Sequence, residues 1–459
     1  MYKTIAYPSW NEMVFGRSIY PVKCGFDLEI GNDLVHPEIK YHPRPGTEKD
    51  FDTIYHEYER MTKDILDRCI QLGLPSVVLE IEHVFQLTDN VRWGREITHM
   101  TKWLLKEYYD DFGLRGAVRV TVADIRKAEN GYRNSKEYEK IIDSFIASAG
   151  AGADILSIES TGGKEVFNYA VTRQDLIGCL FAVGILGSLD MEYLWRDIVK
   201  VAKELNVIPG GDTDCAHSNS AMFLAGGYTS NELSHTFAAL IRAIGAARSL
   251  VAFDMGAKGP DKDCGYEGTI IKAITGCPIS MEGKSCACAH SSLMGNISAA
   301  VCDLWSNEAV QYAEMFGGTT PAVFTEILGY DVAQMNTALK LGYEKVLRDI
   351  FIASDELRDP QSFVISPRIA YNIASSIVEG NNYYERALFG LRRVYDELDK
   401  AQKDGILKLS LHEKEVLAQC GKIIEELPED QGKFISSCID KYRDTVPGFR
   451  LDSYGLEGY

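Results

Sequence analysis

The chain has 459 residues and a net charge of −18, from 48 Lys+Arg against 66 Asp+Glu. A hydrophobic fraction of 46% with 25% charged residues is ordinary for a globular protein and allows two or three domains or one large barrel with additions. The acidic balance argues against a nucleic-acid binder, which needs basic patches to neutralise phosphates, and eleven cysteines, an odd number in a long chain, do not make a disulfide framework.

The N-terminus, "MYKTIAYPSWNEMVFGR", lacks a positive region followed by an apolar core, so no signal peptide is expected. The longest apolar run, 176–189, is shorter than the ~20 residues that cross a bilayer. A cytoplasmic chain with no membrane association is the expectation. Residues 1–72 read as an irregular extension, with turn punctuation at Gly31, Asn32, Asp33 and "PRPG", closing on a leading helix over 51–72.

From residue 73 a pattern repeats: a short β-rich run, a polar loop, a helical stretch. The predicted strands are 76–82, 117–123, 154–160, 206–212, 248–254, 278–282, 310–316 and 362–366, with amphipathic helices such as 191–205 between them. Several strands are apolar throughout, which suits parallel strands covered on both faces. Eight strand–helix units over 73–378 predict an α/β chain folded as a (β/α)8 TIM barrel, with a doubly wound open sheet as the alternative. Residues 379–459 are predicted to form a helical appendage; one of its helices opens with a capping box, Ser410 to Glu413, and stops before Pro428.

Barrel enzymes carry their working residues at the C-terminal ends of strands. The third predicted strand ends in Glu159. The fourth ends at Asp212, followed by Asp214 and Cys215, and the fifth ends at Asp254, ahead of a loop carrying Cys264. Consecutive strands crowd these loops into one sector. Zinc takes thiolate sulfur and carboxylate oxygen, and a catalytic zinc keeps one position open. Glu159, Cys215 and Cys264 offer three such ligands; the competing reading has Glu159 capping a helix and both thiols packing. A rival set, Cys286, Cys288 and His290 in "SCACAH", is a more compact metal pattern or a turn with buried thiols. Further carboxylates stand near strand ends at Glu80, Glu82, Asp124, Glu282 and Glu314. "GAGAD" precedes a strand and lacks the third glycine of a dinucleotide fingerprint, and no Gly-x-Ser-x-Gly elbow occurs.

The segments "YPVKCGFDLEIG", "ILSIESTGGKEVFNYAV", "GDTDCAHSNSAMF", "GAKGPDKDCGYEG", "AITGCPISMEGKS", "LWSNE" and "RDPQ" follow one another along nearly the whole chain. Together they resemble the zinc-containing subunit of methanol:corrinoid methyltransferases. The resemblance implies a (β/α)8 barrel with a catalytic zinc on Glu159, Cys215 and Cys264, a separate corrinoid protein as methyl acceptor, and homodimers decorated by that partner. One departure is the additional thiol, Cys286, in the "CACAH" loop.

The chemistry implied is transfer of the methyl group of methanol to cob(I)alamin. No histidine here has an aspartate two residues before it, so the chain lacks the Asp-x-His-x-x-Gly signature of corrinoid modules and the cofactor is expected to come from the partner. Two thiolates and one carboxylate leave zinc with a formal charge of −1, so a proton donor for the departing oxygen is expected nearby. Asp212, Asp214, Glu80 and Glu282 are the candidates. His217 is expected at the rim or at the start of the next helix. The alternatives are a corrinoid methyltransferase using a methoxylated compound or a methylamine, and a non-catalytic docking subunit.

Overall fold

Local signals set many of the helix ends. Asp50 caps the helix Phe51–Leu72, its carboxylate accepting from Thr53 N at 2.9 Å, and Gly73 ends it with φ 66°, a conformation open to glycine. Ser410 caps Leu411–Glu426 as the sequence predicts, accepting from Glu413 N at 3.2 Å. The second half of that box goes elsewhere: the Glu413 carboxylate accepts from His235 N and Thr236 N, both at 2.8 Å, and so holds the first turn of the helix His235–Met255.

The protein is described here by a computed structural model covering residues 1–226, 232–282, 294–312 and 314–459. An antiparallel hairpin of β1 (Arg17–Cys24) and β2 (Leu28–Asn32) precedes a seven-stranded parallel sheet. Its strands are β3 (His36–His42), β4 (Ser76–Glu82), β5 (Arg115–Val122), β6 (Ile155–Ile158), β7 (Ile208–Asp212), β8 (Ser280–Glu282) and β9 (Leu304–Val310). The spatial order is β7-β6-β5-β4-β3-β9-β8. Segment 257–264 bridges the two edges: Lys258 N donates to Pro209 O at 2.8 Å, Gly259 N to Gly210 O at 2.9 Å, and Glu282 N to Asp263 O at 3.0 Å. This non-strand segment takes the place of an eighth strand, and the ring is a (β/α)8 barrel.

The barrel matches the expected fold class, but three predicted strands fall differently. The expected extension 1–72 supplies the first barrel strand, β3, and its helix, so a boundary after residue 72 cuts within the barrel. Prolines at 37 and 43 and the charged, histidine-flanked pattern of "HPEIKYHP" hide that strand in the sequence. Residues 248–254 are the last turns of His235–Met255, a helix buried on all sides, where a continuous apolar run cannot reveal its period. Residues 362–366 lie mostly in the helix Pro360–Ile365, and 310–316 overlaps β9 only at Val310.

The helices Leu176–Glu204 and His235–Met255 are long and apolar enough to cross a membrane by length and composition, but 78% and 100% of their apolar windows are buried inside the protein. They are core helices. In the C-terminal segment, Tyr383–Lys403 packs on His235–Met255 and on Pro367–Ile377. The barrel interior is layered. Leu28, Ile30, Val78, Ala117, Ile155 and Leu304 form an apolar floor closed from below by the β1–β2 hairpin. Above it the inward positions of the same strands turn polar.

Candidate metal centre

Side chains alternate across a strand, so the even positions of β3 point inward as His36, Glu38, Lys40 and His42. Glu38 and Arg119 form a fully buried pair at 2.7 Å one layer above the floor. Lys40, Glu80, Lys262 and Asp263 stand around and above this pair, and the mouth carries Glu82, Glu159, Glu308, Cys215 and Cys264.

Glu159, Cys215 and Cys264 each offer a ligand atom, and all three atoms lie within 4.8 Å of one another. Glu159 follows directly on the end of β6. Cys215 opens the helical turn Cys215–Asn219, whose N-cap, Asp214, accepts from Ser218 N at 3.1 Å. Cys264 stands at the end of the closing segment. Asn219 ties the two thiols' loops together, its Nδ2 donating to Cys215 Sγ at 3.4 Å and to Cys264 O at 2.7 Å. Lys40 Nζ lies 3.3 Å from Glu159 Oε1 and 3.4 Å from Cys264 Sγ, and Lys262 Nζ lies 3.0 Å from the same Glu159 oxygen.

The electrostatics follow from this crowding. Burial pushes the Glu159 carboxyl up, but Lys40 and Lys262 outweigh it and hold its pKa at about 2. Burial raises the Cys215 thiol to about 11, partly offset by its contact with Cys264. Cys264 is raised well above a normal thiol, first by that contact with Cys215, then by burial and by Asp263. Two thiols, Cys264 buried and Cys215 partly so, that hold their protons beside an ionised carboxylate are released as thiolates by a dication. Two soft sulfurs, one carboxylate and a partly open mouth fit zinc.

Among the described residues, two other groups of ligand atoms meet the same distance. In His42, Glu82 and Glu308, Lys40 Nζ already lies 3.3 Å from Glu82 and 3.5 Å from Glu308. In Asp263, Cys264 and Glu282, the Asp263 carboxylate is engaged by Lys262 and by Ser306 Oγ, the latter at 3.2 Å. The rival residues Cys286, Cys288 and His290 lie outside the described residues.

Of the four proton-donor candidates, Glu282 touches the centre and Glu80 connects to it through Lys262. Glu80 accepts from Thr121 Oγ1 at 2.6 Å and pairs with Lys262 at 2.9 Å. Glu282 accepts from Tyr266 OH at 3.3 Å and lies 4.0 Å from Cys264 Sγ. Asp212 and Asp214 spend their oxygens on the supporting frame. Asp212 accepts from Ser160 Oγ at 2.6 Å and Trp195 Nε1 at 3.2 Å; burial raises its pKa to about 6 against the pull of Arg248. Asp214 binds His217 Nδ1 at 2.6 Å, and this contact with Arg248 overrides burial and keeps it ionised. His217 lies in the helical turn Cys215–Asn219 that leads into the next helix, one of the two expected places, and is fully buried with its ring edge-on to Phe167, not at the rim.

Sequence reasoning passed over Lys40, His42, Lys262 and Glu308. The available signal was the period-two run of polar residues at 36, 38, 40 and 42, masked by the flanking prolines. A cavity of about 170 Å³ opens beside Glu159, lined also by Glu82, His83, Thr121 and Asp124.

The family model described as methanol-cobalamin methyltransferase B subunit matches residues 1–455. The chain belongs to this family. It is 46% identical over 457 residues, 99% of both chains, to the methanol–corrinoid protein co-methyltransferase of Methanosarcina barkeri (strain Fusaro / DSM 804). It is also similar to a chain in the crystal structure of the methanol:cobalamin methyltransferase complex MtaBC from Methanosarcina barkeri, with a TM-score of 0.95, 46% identity and 99% of each chain covered. As a member of the B subunit family, the chain carries its three converging donors at the mouth of the same barrel.

Proposed function

We propose that this chain transfers the methyl group of methanol to cob(I)alamin carried by a separate corrinoid protein, and that it does so with a zinc ion held by Glu159, Cys215 and Cys264. The observation that carries the zinc part is the convergence of those three donors within 4.8 Å at the C-terminal mouth of the barrel. Zinc bound there supplies a Lewis acid toward the oxygen of methanol, whose hydroxide is otherwise a poor leaving group. Glu159 and the two cysteines fix the position, and the cavity lined by Glu82 and Glu159 takes the small alcohol. Burial, reinforced by Glu308 and Glu159, pushes the Glu82 carboxyl up against the pull of Lys40, 3.3 Å away, and the side chain stands on the wall of that cavity. Glu82 joins Glu80 and Glu282 as a donor for the departing oxygen.

The corrinoid protein docks over the barrel mouth, where strand ends and loops present the centre. A second copy of the chain covers the outer face of the helices Thr320–Leu341 and Glu344–Asp355, which expose Ile327, Tyr330, Leu341, Val346 and Ile350. The nine cysteines among the described residues are free thiols, in keeping with a cytoplasmic location.

The test is methylation of the corrinoid partner by methanol, measured with zinc content, in the wild type and in Cys215→Ala. We expect stoichiometric zinc and full transfer in the wild type, and loss of both in the variant. Full transfer by a zinc-free preparation sinks the metal reading. Transfer from a methoxyarene or a methylamine but not from methanol replaces the substrate.

A further inference from the structure

Lys40 and Lys262 are fully buried inside the barrel, one on β3 and one on the closing segment. Burying an ammonium is unfavourable unless it is paired, and these two are placed with economy. Both reach the same oxygen, Glu159 Oε1, at 3.3 and 3.0 Å. Lys262 spends its remaining contacts on Glu80, at 2.9 Å, and Asp263. Lys40 differs: besides Glu82, Glu308 and Asp263, it touches the sulfur of Cys264 at 3.4 Å. One ammonium therefore bridges two of the three metal donors.

Those donors as anions carry a formal −3, and a zinc ion leaves −1. A cation hydrogen-bonded to a thiolate and a carboxylate draws electron density off both, so less is donated to the metal. We propose that Lys40 is a positioning residue for the methyl transfer: it orients Glu159 and Cys264 and withdraws charge from them, so that the zinc they hold is a stronger Lewis acid. The proposal rests on the zinc reading above. Lys262, touching Glu159 but not a sulfur, has the smaller share.

The experiment uses the full chain loaded with Co(II) in place of zinc, comparing wild type, Lys40→Met and Lys40→Arg. The readouts are metal stoichiometry, the thiolate-to-cobalt charge-transfer band, and methylation of the corrinoid partner by methanol with the zinc form. In Lys40→Met we expect unchanged stoichiometry, a band moved to longer wavelength because the Cys264 sulfur is no longer held by a cation, and transfer slowed by about 10–100-fold. Lys40→Arg keeps the charge and restores the band and most of the rate. A band that does not move in folded Lys40→Met reduces Lys40 to a structural counter-ion and overturns the proposal, whatever happens to the rate. If Lys40→Met does not fold, Lys40→Gln, which drops the charge but keeps a donor, is read by the same band with the same two outcomes. A wild type that takes up cobalt without any thiolate band fails the metal reading itself, and the proposal with it.

Discussion

The floor and the upper half of the barrel are built from the same strands and could hardly differ more. At the floor, Val78, Ala117, Ile155 and Leu304 meet Leu28 and Ile30 of the hairpin as hydrocarbon. Two residues further along the same strands, the inward positions are Glu80, Arg119, Ser157 and Ser306. Beyond them stand Glu82, Glu159 and Glu308. A barrel interior is ordinarily packed with branched apolar side chains. Here the fold is secured at the floor and by the helices outside, while the upper interior is held by paired charges whose burial is favourable only as a set. The stabilising part and the reactive part of one cylinder are thus separated by a single pleat.

Substitutions at the seam between the two halves sharpen this contrast most. Glu38→Leu strands the fully buried Arg119, whose Nε it accepts at 2.7 Å. We expect a loss of about 3–5 kcal/mol in denaturant unfolding, together with a fall in zinc content, because Arg119 also holds Pro260 O at 3.2 Å and Asp261 O at 2.8 Å in the segment that ends in Cys264. Leu304→Ala empties the floor and is expected to remove roughly 2–5 kcal/mol, but with zinc content and transfer rate per folded molecule unchanged. Equal damage to metal binding by both variants breaks the comparison.

A smaller effect is readable by pH. His36 sits at the level of the floor, its ring nitrogens against Ser76 Oγ at 2.8 Å and Glu29 O of the hairpin at 3.0 Å, and burial lowers its pKa to about 4. Its folded pKa lies below its unfolded one, so between pH ~6.5 and ~4 the unfolded chain binds a proton that the folded chain refuses. Stability therefore falls as pH drops through that window, by up to about 3 kcal/mol from this group. His36→Asn is expected to flatten that part of the profile in urea midpoints measured from pH 7 to 4; an unchanged slope removes His36 from the account.

Much of this organisation is legible in the sequence. Glu159, Cys215 and Cys264 emerged because the ends of successive barrel strands must converge, and the family resemblance then favoured them over the "SCACAH" set. Cys264 was placed in the right loop even though 248–254 is helical, since the true closing segment follows within a few residues. Lys40 was not found. Its strand carries a polar or charged side chain at every inward position and prolines at 37 and 43, so it reads as a loop until neighbours on both sides pair with it. The roles of Asp212 and Asp214 were equally hidden. Their partners, Ser160, Trp195 and Arg248, are distant in sequence, and only the fold shows which carboxylates face the mouth and which brace the wall.

The closing segment 257–264 has a consequence for assembly. It completes the ring between β7 and β8 and also delivers Lys262, Asp263 and Cys264 to the centre. A chain whose seven sheet strands have formed, but whose seam is still open, has Glu159 and Cys215 in place and no third donor. Sealing the cylinder and bringing in the third donor are one event, so an ion bound by all three donors, as proposed, would also act as a clasp on the cylinder, and its removal would be felt first along that seam.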